Sequence, residues 1–145
     1  DAERAWREAK KRADERDYAG AIRLLDRAVE LNGREPEYAV WRAEMEWDRR
    51  VAEGRWDDDG RNWVKKRLST VVAEHPTHVQ ARVVLARTLL EMANEVDALE
   101  LYRSVLQHQP RHVEAIGAVT QLEGQLEKAQ RSGARGLFGR FKRDS

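Results

Sequence analysis

Pro76 and Pro110 stand 34 residues apart, and each closes a similar phrase, Val-Val-Ala-Glu-His-Pro and Val-Leu-Gln-His-Gln-Pro. A repeat of that period specifies pairs of helices stacked in a row, because a single pair has an apolar face that it cannot bury alone. Pro36 is the only other proline in the 145 residues. The stretches between the prolines are rich in Ala, Leu, Glu and Arg, with apolar residues three and four apart, the spacing of one helix face. No alternating Val, Thr and aromatic segments joined by tight turns supply material for a sheet. The chain is expected to be all-α, with about seven helices marked by start and stop residues.

Starts are read from side chains able to accept the free amide hydrogens of a first turn. Asp17, Thr77 and Asn94 qualify, and Thr77 is followed by Gln80 at the spacing of a capping box. Pro36 sits where a first helical turn tolerates a missing N–H. Gly33, Gly133 and Gly136 read as stops. An apolar content of 41% fits one domain, and 27 basic against 26 acidic side chains leave no net field that would name a polyanion or a membrane as partner. Cysteine is absent, which excludes disulfides and thiolate chemistry and fits a reducing compartment, so the cytoplasm is the expected location.

Aligned side by side, the second helices of the units share a pattern. Tyr18 to Ile22 runs on through Leu25 and Ala28, and Ala98-Leu99 runs on through Tyr102 and Val105. Both segments resemble the tetratricopeptide (TPR) motif Ala-x-x-x-Phe-x-x-Ala-x-x-x-x-Pro. The middle unit follows with Val64, Leu68, Val71 and Pro76, while Ala9, Ala43 and Ala86 take the small position of the first helices. The middle unit also carries nine extra residues between Ala43 and Leu68, so both of its helices are expected to be longer. The resemblance implies a right-handed superhelical stack of three TPR hairpins and a C-terminal capping helix. Residues 1–131 would form the TPR domain, with repeats at about 2–33, 36–76 and 78–110, a cap at 112–131, and a flexible basic tail at 132–145.

In such a stack the first helix of each unit lines a concave face. The resemblance places Trp6, Arg7 and Lys10 there from the first unit, with Val40, Trp41 and Glu44 from the second and Val83, Val84 and Arg87 from the third. These nine are the candidate partner-binding residues. Family members that grip acidic chaperone tails use a clamp of Lys, Asn, Asn, Lys and Arg on these faces. Here Trp6 and Lys10 stand at the first two of those places, and Val40 and Glu44 break the second unit's polar contribution. An amphipathic helix or short apolar segment, with or without an acidic rim, is the expected ligand, because Trp and Arg are enriched at interface hot spots. Trp6 and Trp41 read equally well as packing between repeats.

Other clusters carry less. Asp57-Asp58-Asp59-Gly60 lacks the alternate oxygen ligands of a calcium loop, since Arg61 takes the next ligand position; it reads as a turn and helix cap. Trp47, Trp56 and Trp63 surround that turn and read as its seal. His75, His78, His108 and His112 fall in two inter-repeat turns without a cysteine or fixed carboxylate to complete a zinc site, so no metal and no cofactor is expected. No nucleophile elbow, phosphate-cradling loop or paired nucleophile points to an enzyme.

The tail from Ser132 to Ser145 groups Leu137, Phe138 and Phe141 with Arg135, Arg140, Lys142 and Arg143. It resembles the basic Gly-Leu-Phe-Gly-like ends of repeat-bearing regulatory and J-domain proteins of myxobacterial type. That resemblance, the Arg-rich composition and the absence of an initial Met imply a bacterial protein and the C-terminal module of a larger regulator. Leu137, Phe138, Arg140, Phe141 and Lys142 are candidates for a second contact with an anionic surface or, less favoured, a nucleic acid. No apolar run is long enough to cross a membrane. The expected function is an adaptor that binds a peptide or protein in its groove, with the tail contact or weak self-association as alternatives.

Overall fold

The computed structural model describes residues 1–143, with side chains described through residue 133. Seven helices follow one another: α1 (Ala2–Asp14), α2 (Tyr18–Leu31), α3 (Pro36–Ala52), α4 (Asp58–Glu74), α5 (Val79–Glu91), α6 (Glu95–His108) and α7 (Val113–Arg143). They form three hairpins, α1/α2, α3/α4 and α5/α6, with α7 laid against α6. The nine extra residues lengthen both helices of the middle hairpin. α3 and α4 each have 17 residues, against 13 and 14 in the flanking hairpins.

Capping explains most of the boundaries. Asp17 Oδ1 accepts from the Gly20 amide at 3.0 Å, with the carboxylate lying so close over Gly20 that a Cβ there would make it shift. Asp57 and Asn94 cap α4 and α6 in the same way. Thr77 does not cap α5. The helix begins one residue later, and His78 Nδ1 accepts from the Ala81 amide at 3.1 Å. His112 repeats the contact at the start of α7, accepting from Ala115 at 3.2 Å. A ring nitrogen that accepts bears no proton, so each imidazole holds its proton on Nε2. In His78 that Nε2–H donates to Glu37 Oε1 at 2.6 Å, tying α5 to α3. At the other end, Gly133 does not stop α7, whose bounds extend to Arg143.

The small positions lie where helices meet. Ala9, Ala43 and Ala86 on the first helices, and Ala21, Ala28 and Ala98 on the second, have no exposed surface. Val64 fills the equivalent place in α4 and is also fully buried. One continuous core runs from Val40 through Leu68, Val84 and Tyr102 to Leu122. A separate small core joins Ala9, Ala21, Ile22 and Leu25 of the first hairpin to Met45 of α3. The Trp cluster seals the end of the long hairpin. Trp47 and Trp56 stack with centroids 4.4 Å apart, and the Trp56 indole donates to Glu91. Trp63 is covered by the guanidinium groups of Arg42 and Arg67.

Each hairpin turn passes through one residue of left-handed backbone: Arg16 (φ 60°), Gly54 (φ 68°) and Ala93 (φ 58°). Only the middle unit has glycine there, and the other two turns carry a Cβ strain of order 1 kcal/mol. Ala93→Gly is expected to raise stability by about 0.5 kcal/mol or more in urea unfolding, the relief exceeding the added entropy of the unfolded chain. Ala86→Arg is expected to lose about 3 kcal/mol or more in the same measurement, because the fully buried site has room for neither the volume nor the charge.

Candidate functional site

The first helices of the units adjoin through a row of polar contacts along one wall. Glu37 on α3 accepts from His78 at the head of α5, and Glu44 Oε1 accepts from Gln80 Nε2 at 2.9 Å. Arg87 on α5 donates to Glu114 on α7 through both Nε, at 2.8 Å, and Nη2. The Tyr102 hydroxyl from α6 donates to the same carboxylate at 3.0 Å. The repeat sets this register, since Glu3, Glu37, Gln80 and Glu114 hold the same place in successive units, as do Lys10, Glu44 and Arg87.

The electrostatics of the wall are uneven. Burial pushes the Glu44 carboxyl up, and nearby Asp48 and Glu37 reinforce the shift, while Gln80 and Arg87 oppose it. Burial also pushes the Asp48 carboxyl up. Asp48 is exposed, so solvent reaches it past flanking protein. Glu114 behaves oppositely: the hydrogen bond from Arg87 holds its carboxyl low against the opposing effect of burial, with help from Tyr102. The Tyr102 phenol is pushed well up, by burial first and then by the Glu114 carboxylate.

The nine groove candidates separate into three kinds. Val40, Val83 and Val84 have 0%, 0% and 2% of their surface exposed and belong to the main core, so they offer nothing to a partner. The superhelix turns this flank of α3 and α5 toward the second helices of the units, and apolar side chains there are needed for packing. Trp6 and Trp41 are half-buried between units. Trp6 lies 5.8 Å from the ring of Tyr38, its indole N–H buried without an acceptor, and Trp41 packs on the small core of the first hairpin. Arg7 and Arg87 are exposed, and Lys10 and Glu44 are half-buried. Arg7 pairs with Glu3 at 3.1 Å, Lys10 Nζ sits 3.9 Å above the Trp6 ring, and Glu44 and Arg87 come together with Gln80. Glu37, Asp48, Gln80 and Glu114 were not among the sequence candidates. Their signal was available in the 34-residue steps from Glu3 to Glu37 and from Gln80 to Glu114.

The tail candidates Leu137, Phe138, Arg140, Phe141 and Lys142 lie outside the residues whose side chains are described. Among the described residues no three His, Asp or Glu side chains gather as a metal site would require, and no helix is long and apolar enough to cross a membrane.

No protein-family model and no curated protein matches the chain. Solved structures do. The first TPR of Spaghetti (RPAP3) bound to the HSP90 peptide SRMEEVD superposes with a TM-score of 0.74 at 16% identity, covering 87% of this chain and 93% of that one. The first TPR domain of human RPAP3 gives 0.73 at 15% identity, covering 90% and 96%. The Sgt2 TPR domain from Aspergillus fumigatus gives 0.71 at 17%, covering 90% and 82%. The chain therefore has the TPR fold, three stacked hairpins closed by a final helix.

The Arg87–Glu114 pair has a pH signature. A carboxyl held low in the folded state contributes stability above its unfolded pKa of about 4.3, and that contribution is lost as pH falls through the folded value. Arg87→Met is expected to raise the Glu114 midpoint, read by NMR of the side-chain carboxyl, and to lower stability at neutral pH while flattening the loss that this carboxyl causes below about pH 4.3.

Proposed function

We propose that this protein is an interaction module that holds a polypeptide segment against the inner faces of α1, α3 and α5. The observation that carries the reading is the wall itself. Lys10, Glu44 and Arg87 hold the same repeat position in three consecutive units, are exposed or half-buried, and are not part of the apolar core. A recurring row of this kind on the concave side of a stack is the surface such folds offer to extended ligands. The first TPR of Spaghetti, solved bound to the HSP90 peptide SRMEEVD, supports the reading by likeness of fold.

Within this reading Arg7, Lys10, Glu44 and Arg87 are the contact residues. Trp6 and Trp41 contribute accessible edges while fixing the spacing of the units, and the three valines are scaffold. Binding of this kind involves no catalytic step and no cofactor.

The test is capture of a partner by the full chain, compared between inner-wall and outer-face variants. Lys10→Ala with Arg87→Ala, and separately Glu44→Ala, are each expected to change capture of the partner with helical circular dichroism unchanged. Arg27→Ala with Glu30→Ala on the outer helix α2 is expected to retain it. Equal capture by all three proteins defeats the reading. Trp41→Ala is unsuited to this test, because truncating a ring packed against the small core around Ile22 and Leu25 is expected to cost stability.

A further inference from the structure

The place of the ligand follows from the reading above, and the charges along the wall decide what kind of segment fits there. Glu37, Glu44 and Asp48 lie on one face of α3, separated by seven and four residues, so their carboxylates project to the same side. The facing helix α5 answers with one neutral side chain, Gln80, and one cation, Arg87. That cation is already held by Glu114 from α7 through two donors. His78, the other basic group facing α3, holds its proton on Nε2 and is neutral while it caps α5. On α1, Arg7 is paired with Glu3, and Lys10 rests over the Trp6 ring.

The middle of the wall therefore presents four carboxylates and a single engaged guanidinium. A ligand carboxylate entering there would have to displace Glu114 from Arg87 and would meet three further negative charges. A guanidinium or ammonium would meet open acceptors on Glu44 and Asp48. No hydrogen bond or ion pair of Asp48 exists among the described residues. Both carboxyls are also partly stripped of water, so a cation brought beside them recovers interaction that bulk solvent does not supply.

We infer that the groove takes a cationic polypeptide segment, with Glu44 and Asp48 receiving its Arg or Lys side chains and Arg87–Glu114 excluding carboxylates. This is the opposite sign from the acidic rim that the sequence allowed on an otherwise apolar segment. Specificity here is partly a matter of rejection, since like charges placed along the path cost a wrong partner more than any single contact gains for the right one.

Fluorescence anisotropy with the full chain tests it, using a labelled, amidated peptide that alternates Arg with Leu and, as the anionic counterpart, the peptide SRMEEVD. The cationic probe is expected to bind and to weaken steeply as salt rises. Glu44→Gln with Asp48→Asn, which preserves shape and the Gln80 contact, is expected to lower its affinity about tenfold, and the Lys double variant more. Glu30→Lys with Glu100→Lys on the outer helices is expected to change it less than about twofold.

Three results overturn the inference. In the first, the cationic probe fails to bind. In the second, it is weakened equally by the outer-face variant, which means charge without a site. In the third, SRMEEVD binds and Arg87→Ala abolishes that binding. The third leaves the groove reading intact with its ligand class reversed. The groove reading itself fails only if captured partners ignore every inner-wall variant.

Discussion

A two-helix hairpin buries one seam and leaves an apolar flank open, and nothing within the unit can close it. Closure comes from the next unit, which demands that backbones approach where they cross. Ala9, Ala43 and Ala86 on one set of helices and Ala21, Ala28 and Ala98 on the other have no exposed surface because they are those crossing points. α7 supplies the last wall, with Ala115 and Leu122 completing the core that begins at Val40. The inner wall exists because these crossings hold the first helices side by side.

The same arrangement explains why the chemistry of the wall is mutual. Side chains at the later repeat position reach the earlier position of the next unit, as Glu44 meets Gln80 and Arg87 meets Glu114, so a change on one helix alters the partner's electrostatic surroundings. Glu44 feels Arg87, and Arg87 is held by Glu114. An ionic ladder does similar work on the other flank. Asp26 on α2, Arg42 and Glu46 on α3, Arg50 one turn later and Asp57 at the head of α4 are joined in sequence. Burial pushes Glu46 up, but the two arginines that hydrogen-bond to it pull it below its ordinary range. A half-buried carboxylate between two guanidinium groups is tolerated for that reason.

Much of this was legible in the chain. The spacing of Pro76 and Pro110, with the alanines at fixed places, specified hairpins, their number and the lengthened middle unit. Burial on the inner wall was not legible. Val40, Val83 and Val84 occupy repeat positions that face the groove in outline, yet a helix face is broad, and only the angle between stacked units decides which of its edges is covered. Caps failed for a related reason. Thr77 has the expected chemistry, but the helix starts one residue on, and a histidine nitrogen serves equally well once its ring is fixed by Glu37. Asp48 was overlooked because a single acidic residue on a highly charged helix carries no signal until its neighbours across the wall are known.

The division of the core has a further consequence. The first hairpin keeps its own small apolar cluster, and it is fastened to the rest mainly through Tyr38, Trp41 and Met45, all on α3. Those three side chains therefore govern cooperativity: while they stay seated, the chain melts as one body, and if they loosen, the N-terminal pair opens as a separate folding unit at lower free energy than the remainder.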